Sequence, residues 1–213
     1  MKLCVIGGAG ARSAFLTKSL VKSARDIRVD HIVLLDNDQQ KLKTYGEISR
    51  ELARRLDPDL TFEVTSDARA ALTGVDYIIT TIPAGADAGR LFDEQTCLAH
   101  GVLGQETTGA GGFAMAIRSV PTLVYYCTLA REVANPGHLI FNFTNPSGII
   151  TQALRSKGFD NVYGICDAPS GFIKQLEEIL EIPYGTLDIE CYGLNHLSWF
   201  RNAKVNGRDV QRE

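Results

Sequence analysis

An α/β fold built on a doubly wound parallel sheet is what this chain of 213 residues predicts, and three observations carry that expectation. A short apolar run, Leu3-Cys4-Val5-Ile6, suits a strand buried on both faces. Gly8, Gly10 and Ser13 follow at once in the positions of a G-x-G-x-x-G turn, with a helix start behind them. A second apolar run, His31-Ile32-Val33-Leu34-Leu35, ends on Asp36, so strand, glycine turn, helix, strand and acid occur in the order of a dinucleotide-binding unit.

In such a unit Gly8 permits the tight turn and Gly10 lets the backbone approach a pyrophosphate. Ser13 stands at the third glycine position, where a residue only has to be small enough for the helix to pack closely. Arg12 and Ser13 open that helix, whose N-terminal amides and dipole favour a phosphate, and both count among the cofactor-binding candidates. Asp36 is expected to take the ribose hydroxyls, and its charge favours NAD over NADP because it repels a 2′-phosphate. The plain alternative is a glycine turn with no ligand.

The remaining elements alternate. A helix from about Ala11 to Arg25 carries Leu16, Leu20 and Ala24 on one face. Leu42, Tyr45, Ile48, Leu52 and Leu56 mark a second helix, ended by Asp57-Pro58. Thr61 to Thr65 reads as a short strand, and a brief helix capped by Ser66 or Asp67 leads through Gly74 to a fourth strand, Val75 to Thr81. Ile82 to Gly112 reads as a long irregular connection leaving the carboxyl end of that strand, where ligands bind in open α/β sheets. A strong helix is expected from Phe113, with Ile117, Val120, Val124, Cys127 and Ala130 along the same side and Asn135-Pro136-Gly137 past its end. Leu139 to Phe143 gives a fifth strand, Asn145-Pro146-Ser147 opens a helix, and Val162 to Cys166 gives a sixth strand before a helix from about Ser170 to Leu180. From Leu187 the pattern alternates, with Asn206-Gly207 as a hairpin turn. Residues 1–168 therefore read as a Rossmann-like NAD-binding domain, and residues 169–213 as the start of a second, truncated α+β domain.

Composition bounds the function. Hydrophobic residues make up 45% and charged residues 22%, as in a soluble globular protein. A net charge of -3 offers no basic surface for nucleic acid. No apolar tract of about eighteen residues and no leader are evident, so neither a membrane span nor a signal peptide is expected, and a cytoplasmic location follows. The five cysteines are odd in number and widely spaced, which argues against a disulfide framework; Cys4 and Cys127 have packing explanations.

Two motifs at strand ends carry the chemistry: Gly164-Ile165-Cys166-Asp167 and Gly193-Leu194-Asn195-His196. A thiolate and an imidazole could hold a first-row divalent metal while leaving positions for substrate oxygens and water. A buried cysteine and a satisfied histidine is the plainer reading. His31, His100 and His138 lack comparable neighbours and read as surface or loop residues.

Gly104-Gln105-Glu106-Thr107-Thr108-Gly109, Asn142-Phe143-Thr144-Asn145-Pro146-Ser147-Gly148, Cys166 and Gly193-Leu194-Asn195-His196-Leu197 together resemble glycoside hydrolase family 4, most closely its 6-phospho-β-glucosidases. The resemblance runs from the glycine turn to about residue 205. It implies an NAD- and metal-dependent hydrolysis of a phosphorylated sugar glycoside by oxidation at C3, deprotonation at C2, elimination at C1, water addition and re-reduction; this family stands outside the two-carboxylate glycosidase scheme. It further implies Cys166 and His196 as ligands of Mn2+ or another divalent metal, and Asp167 as proton donor to the leaving group, although a helix N-terminal acid is the alternative for Asp167. Arg90, Asn145 and Asn195 would contact substrate, and Glu106 would raise the basicity of a tyrosine base lying beyond residue 213. Arg118 reads as a surface or structural cation. The sequence departs from the family pattern at Pro83, where many relatives carry arginine. A dimer or tetramer is implied as well. The competing readings are a malate- or lactate-type dehydrogenase and a non-catalytic NAD-binding module.

Overall fold

The computed structural model describes residues 1–210. Strand β1 (Lys2–Ile6) leads through the glycine turn to α1 (Ser13–Ser23), β2 (His31–Leu35), α2 (Gln39–Lys41), a π-helical turn at Leu42–Gly46, α3 (Glu47–Leu56) and β3 (Thr61–Thr65). Next come α4 (Ala68–Leu72), β4 (Tyr77–Thr80), α5 (Ala86–Ala99), α6 (Gly109–Val133), β5 (Leu139–Asn142), α7 (Ser147–Ser156), β6 (Val162–Gly164) and α8 (Ala168–Ile179). The described chain closes with β7 (Leu187–Leu194), β8 (Leu197–Val205) and β9 (Arg208–Asp209).

The first six strands form one parallel sheet in the order β3-β2-β1-β4-β5-β6. Its apolar strands serve two cores because successive side chains point to opposite faces. Leu3, Val5, Ile32 and Leu34 pack with Val21, Ala24 and Ala53 of the α1 and α3 side. Cys4, Ile6, Val33, Leu35, Ile78 and Ile140 pack on the other face with residues of α4, α6 and α7, among them Leu72, Leu123 and Leu154. The predicted doubly wound sheet is therefore present. Strands β7, β8 and β9 form a separate antiparallel sheet, with Asn206-Gly207 turning the last hairpin as expected.

Several expectations need correction. The segment Ile82 to Gly112 is not irregular: it contains α5, and α6 begins at Gly109 rather than Phe113. Helix α5 carries no inward apolar periodicity, because its buried residues are Asp93 and Cys97, while Leu91, Phe92 and Leu98 face outward. In α6 the inward side runs through Gly112, Met115, Ala116, Ser119, Leu123 and Cys127, whereas Phe113 is 62% and Ile117 58% exposed. Small residues let the helix approach its neighbours, as a Cβ on Gly112 would lie 2.4 Å from the Thr107 carbonyl. With 25 residues, α6 is long and apolar enough to cross a membrane, yet its buried stripe belongs to the core beside the sheet. Likewise, the second helix buries Leu42, Gly46, Ser49 and Ala53 and leaves Tyr45, Ile48 and Leu56 outside. Gly46 is the reason it rides so low, since a Cβ there would meet Val64 Cγ1 at 2.6 Å. His31 opens β2, as the second apolar run predicts, and it does have a neighbour of its own, with Nε2 3.0 Å from Glu63 Oε1. Strand β6 ends at Gly164, so Cys166 lies in the connection to α8 and not on the strand.

Candidate active site

The glycine turn sits at the centre of the sheet's carboxyl edge. Gly7, not Gly8, takes the left-handed conformation, with φ +81°, and its amide and that of Gly8 both donate to the Leu35 carbonyl, at 2.8 and 3.0 Å. Gly8 is small for another reason: a Cβ would come within 2.9 Å of the Val5 carbonyl and 3.0 Å of Leu34 Cβ. Around Gly10 nothing lies within 4 Å of a Cβ position, which leaves that side of the turn open. Ser13 is buried, and both its hydroxyl and its amide donate to the Gly10 carbonyl, tying the start of α1 to the turn. Arg12, exposed, occupies the N-cap position without a side-chain capping bond.

Asp36 closes the unit. Its carboxylate accepts the amides of Ala9 and Asp38, each at 3.1 Å, and so joins the glycine turn to the end of β2. A carboxylate has about four acceptor sites, so capacity remains for a ligand hydroxyl. A cleft of about 510 Å³ opens here, bounded by Gly7, Gly10, Asp36, Ile82, Arg118 and Tyr126. Burial, and then the neighbouring Tyr125 and Asp36, push the Tyr126 hydroxyl above the ordinary phenol range.

Next along the edge lies a polar cluster that the apolar-run reading passed over. Thr80 and Asn142 are paired in register at the ends of β4 and β5, and the Thr80 hydroxyl donates to Asn142 Oδ1 at 2.8 Å. Asn142 Nδ2 reaches the Thr144 carbonyl at 3.3 Å and Thr151 Oγ1 at 3.2 Å, while the Ile82 amide donates to Thr144 Oγ1 at 2.9 Å. Thr80, Asn142 and Thr144 are buried, so their polar atoms must find partners or lose their hydration uncompensated. The signal was available: two polar residues ending otherwise apolar strands. This cluster fixes the segment carrying half-buried Asn145, whose peptide bond to Pro146 is cis, at the entry to α7.

Beyond β6 the two chemical motifs meet. Cys166 Sγ and His196 Nε2 are 3.5 Å apart although they stand 30 residues apart in the chain. The Ala168 amide, at the N-terminal end of α8, points to the same sulfur at 3.5 Å. His196 adopts φ +57° in the two-residue turn between Leu194 and Leu197, a conformation uncommon outside glycine. Asn195 Oδ1 is buried without a hydrogen-bond partner, and its residue borders a groove of about 540 Å³ with Cys166, Ser147 and Gly148. Asp167 is exposed at the N-cap of α8, and its carboxylate makes no capping bond.

The donor set suits a divalent ion. Ligands about 2.3 and 2.1 Å from one ion lie roughly 3.1 to 3.6 Å apart for angles of about 90 to 110°, and the Cys166–His196 separation falls in that window. Among the described residues no group of three or more His, Cys, Asp or Glu side chains converges. Arg90 and Glu106 form a second cluster. Arg90 Nε is 2.7 Å from Glu94 Oε1 and its Nη1 is 3.6 Å from Glu106 Oε2, so the guanidinium is shared between two carboxylates. Arg118, the predicted structural cation, forks onto the buried Asp93.

The profile described as family 4 glycosyl hydrolase matches residues 2–182. A 6-phospho-beta-glucosidase of Thermotoga maritima is 35% identical over 212 residues, covering 99% of this chain and 50% of the relative. A solved 6-phospho-alpha-glucosidase from gut microorganisms, in complex with NAD and Mn2+, superposes with TM-score 0.92 at 30% identity, covering 98% of this chain and 48% of that one. The Thermotoga maritima 6-phospho-beta glucosidase solved with manganese, NAD+ and glucose-6-phosphate gives 0.88 at 34% identity, with coverages of 99% and 51%. The chain spans about half the length of the curated relatives it matches. With the Rossmann-like sheet, the glycine turn and Cys166 all within the matched stretch, the chain belongs to family 4 of the glycosyl hydrolases.

Proposed function

We propose that the chain carries the cofactor-binding and metal-binding parts of an NAD- and divalent-metal-dependent 6-phosphoglucosidase of the β series, working in the cytoplasm as a homo-oligomer. One observation carries this reading. The carboxyl edge of the sheet presents, strand by strand, Asp36 after β2, the glycine turn after β1, the Ile82 segment after β4, Asn145 after β5 and Cys166 after β6. A dinucleotide laid from Asp36 across the turn brings its redox end toward the Cys166–His196 pair.

Bound NAD+ and Mn2+ would supply hydride acceptance from the sugar C3 and Lewis-acid stabilisation of charge across C2 and C3. This chain's residues do the rest. Asp36 and the turn orient the adenosine and pyrophosphate; Cys166 and His196 hold the metal; Asn145 and Asn195 offer amides to sugar hydroxyls. Asp167 holds the proton that the leaving oxygen takes when the C1 bond breaks. Arg90 contacts substrate, and Glu106 beside it favours a basic partner. The base that removes the C2 proton, a tyrosine by family resemblance, is not among these residues.

The test incubates the longest natural form of the protein with 6-phospho-β- and 6-phospho-α-glucosides, NAD+ and Mn2+ in deuterated water under reducing conditions. Metal-dependent release with deuterium at C2 is expected from the β substrate. Release without label would exclude the elimination route; preference for the α substrate would overturn the anomeric assignment. Steady NADH formation from a hydroxy acid would support a dehydrogenase instead.

A further inference from the structure

Arg118 stands between two sites. On α6 it borders the cofactor cleft, and its partner Asp93 borders the small cavity that holds Arg90, Glu94 and Glu106. Its Nε donates to the Ala84 carbonyl at 3.3 Å, in the segment that follows β4, and its Nη1 donates to Asp93 Oδ1 at 2.8 Å. Its Nη2 donates to Asp93 Oδ2 and reaches Met115 Sδ at 3.6 Å. Asp93 is only 7% exposed and Arg118 31%. The start of α5 packs closely on this guanidinium. A Cβ on Gly85 would approach Nε to 3.0 Å, and one on Gly89 would approach it to 3.3 Å.

We infer that Arg118 is a positioning residue for the nicotinamide half of the dinucleotide, an inference that rests on the cofactor reading above. The topology gives the reason. Asp36 and the glycine turn belong to the ends of β2 and β1, whereas Arg118 braces the Ile82–Gly85 wall at the end of β4, the side toward β5 and β6. Its Nε holds that wall through the Ala84 carbonyl, while the fork onto Asp93 holds the turn of α5 that carries Arg90 and Glu94. The cofactor cleft and the Arg90–Glu106 cluster thereby keep a set separation. A dinucleotide spans the braced wall, while ADP occupies only the Asp36 and glycine-turn side.

The test measures dissociation constants of NAD+ and ADP by calorimetry for the full chain and for Arg118→Lys, with a thermal melt of each. Lysine keeps the charge but cannot fork. NAD+ affinity is expected to fall about tenfold, as for one lost charge-assisted contact, with ADP affinity changed by less than about twofold. Equal loss for both ligands, or no loss for either, would overturn the role. Gly89→Ala provides an independent variant, because alanine favours the α5 helix while its methyl, about 3.3 Å from Arg118 Nε, crowds the guanidinium. It should weaken NAD+ selectively without lowering the melting temperature; unchanged NAD+ affinity there would count against the brace. Failure of the unaltered chain to bind either ligand would instead remove the cofactor reading itself.

Discussion

Cys166 sits half-exposed beside His196, while Cys4, Cys97 and Cys127 are buried and Cys191 is exposed. Burial pushes the thiols of Cys4 and Cys127 up to about 12. The thiolate is the reactive form, so iodoacetamide at neutral pH should label Cys166 and Cys191 in the folded chain and spare the other three. Mn2+ should protect Cys166 alone, and mass spectrometry of the labelled peptides reads the result. Cys166→Ser should abolish Mn2+ binding by calorimetry while moving the melting temperature little, because the residue lies outside both core clusters. Asp36→Ala should weaken NAD+ binding by about 1–3 kcal/mol. The structure adds a reason beyond the ribose, since the carboxylate also holds the Ala9 and Asp38 amides. At this scale the sequence was informative about which residue types meet, because Cys166, Asn195 and His196 do converge. It misplaced the turn by one residue, as Gly7 and Gly8 are adjacent glycines and only φ separates their tasks.

At the scale of elements, the ends of β4 and β5 are held by a polar cluster and not by apolar contact. Asn142→Ala would leave Thr80 and Thr144 short of partners inside the protein, and we expect a loss of about 1–3 kcal/mol in urea unfolding. Calorimetric NAD+ affinity should fall with it, as the Thr144–Ile82 bond steadies a wall of the cleft. Strands were legible because a strand buried on both faces is a continuous apolar run, as in Val5–Ile6 and Ile32–Leu35. Helix faces were less so. In α3 the inward stripe is Ser49 and Ala53, and in α6 Gly111, Gly112, Ala116 and Ser119 share it with Met115, Leu123 and Cys127, while Ile48, Phe113 and Ile117 lie outside. Hydrophobic spacing identifies a helix from its bulkiest side chains, whereas close packing selects the smallest ones.

For the whole molecule, the buried thiols limit stability on the alkaline side. Cys4 and Cys127 ionise near 9 when unfolded and only at about 12 when folded. Their contribution is complete below pH 9 and is lost as pH rises toward about 12, because the unfolded chain releases those protons first. Urea midpoints should therefore drop through that interval, and replacing both cysteines by alanine should flatten the alkaline limb. NAD+ at about a hundred times its dissociation constant should add roughly 2.7 kcal/mol to stability, seen as a raised melting temperature. The separate antiparallel sheet was legible from the change of pattern at Leu187, where apolar runs and helices give way to alternation.

The cysteine and the histidine belong to different sheets: Cys166 follows β6 of the parallel sheet, and His196 turns the antiparallel hairpin. An ion shared by them would act as a reversible cross-link closing a loop of 30 residues, and ring closure of that kind restricts the freedom of everything between its ends. Chelation would then be felt mechanically as well as chemically. Backbone amides of α8 and β7 should exchange with solvent faster once the ion is withdrawn, while those of β1 and β2 keep their protection.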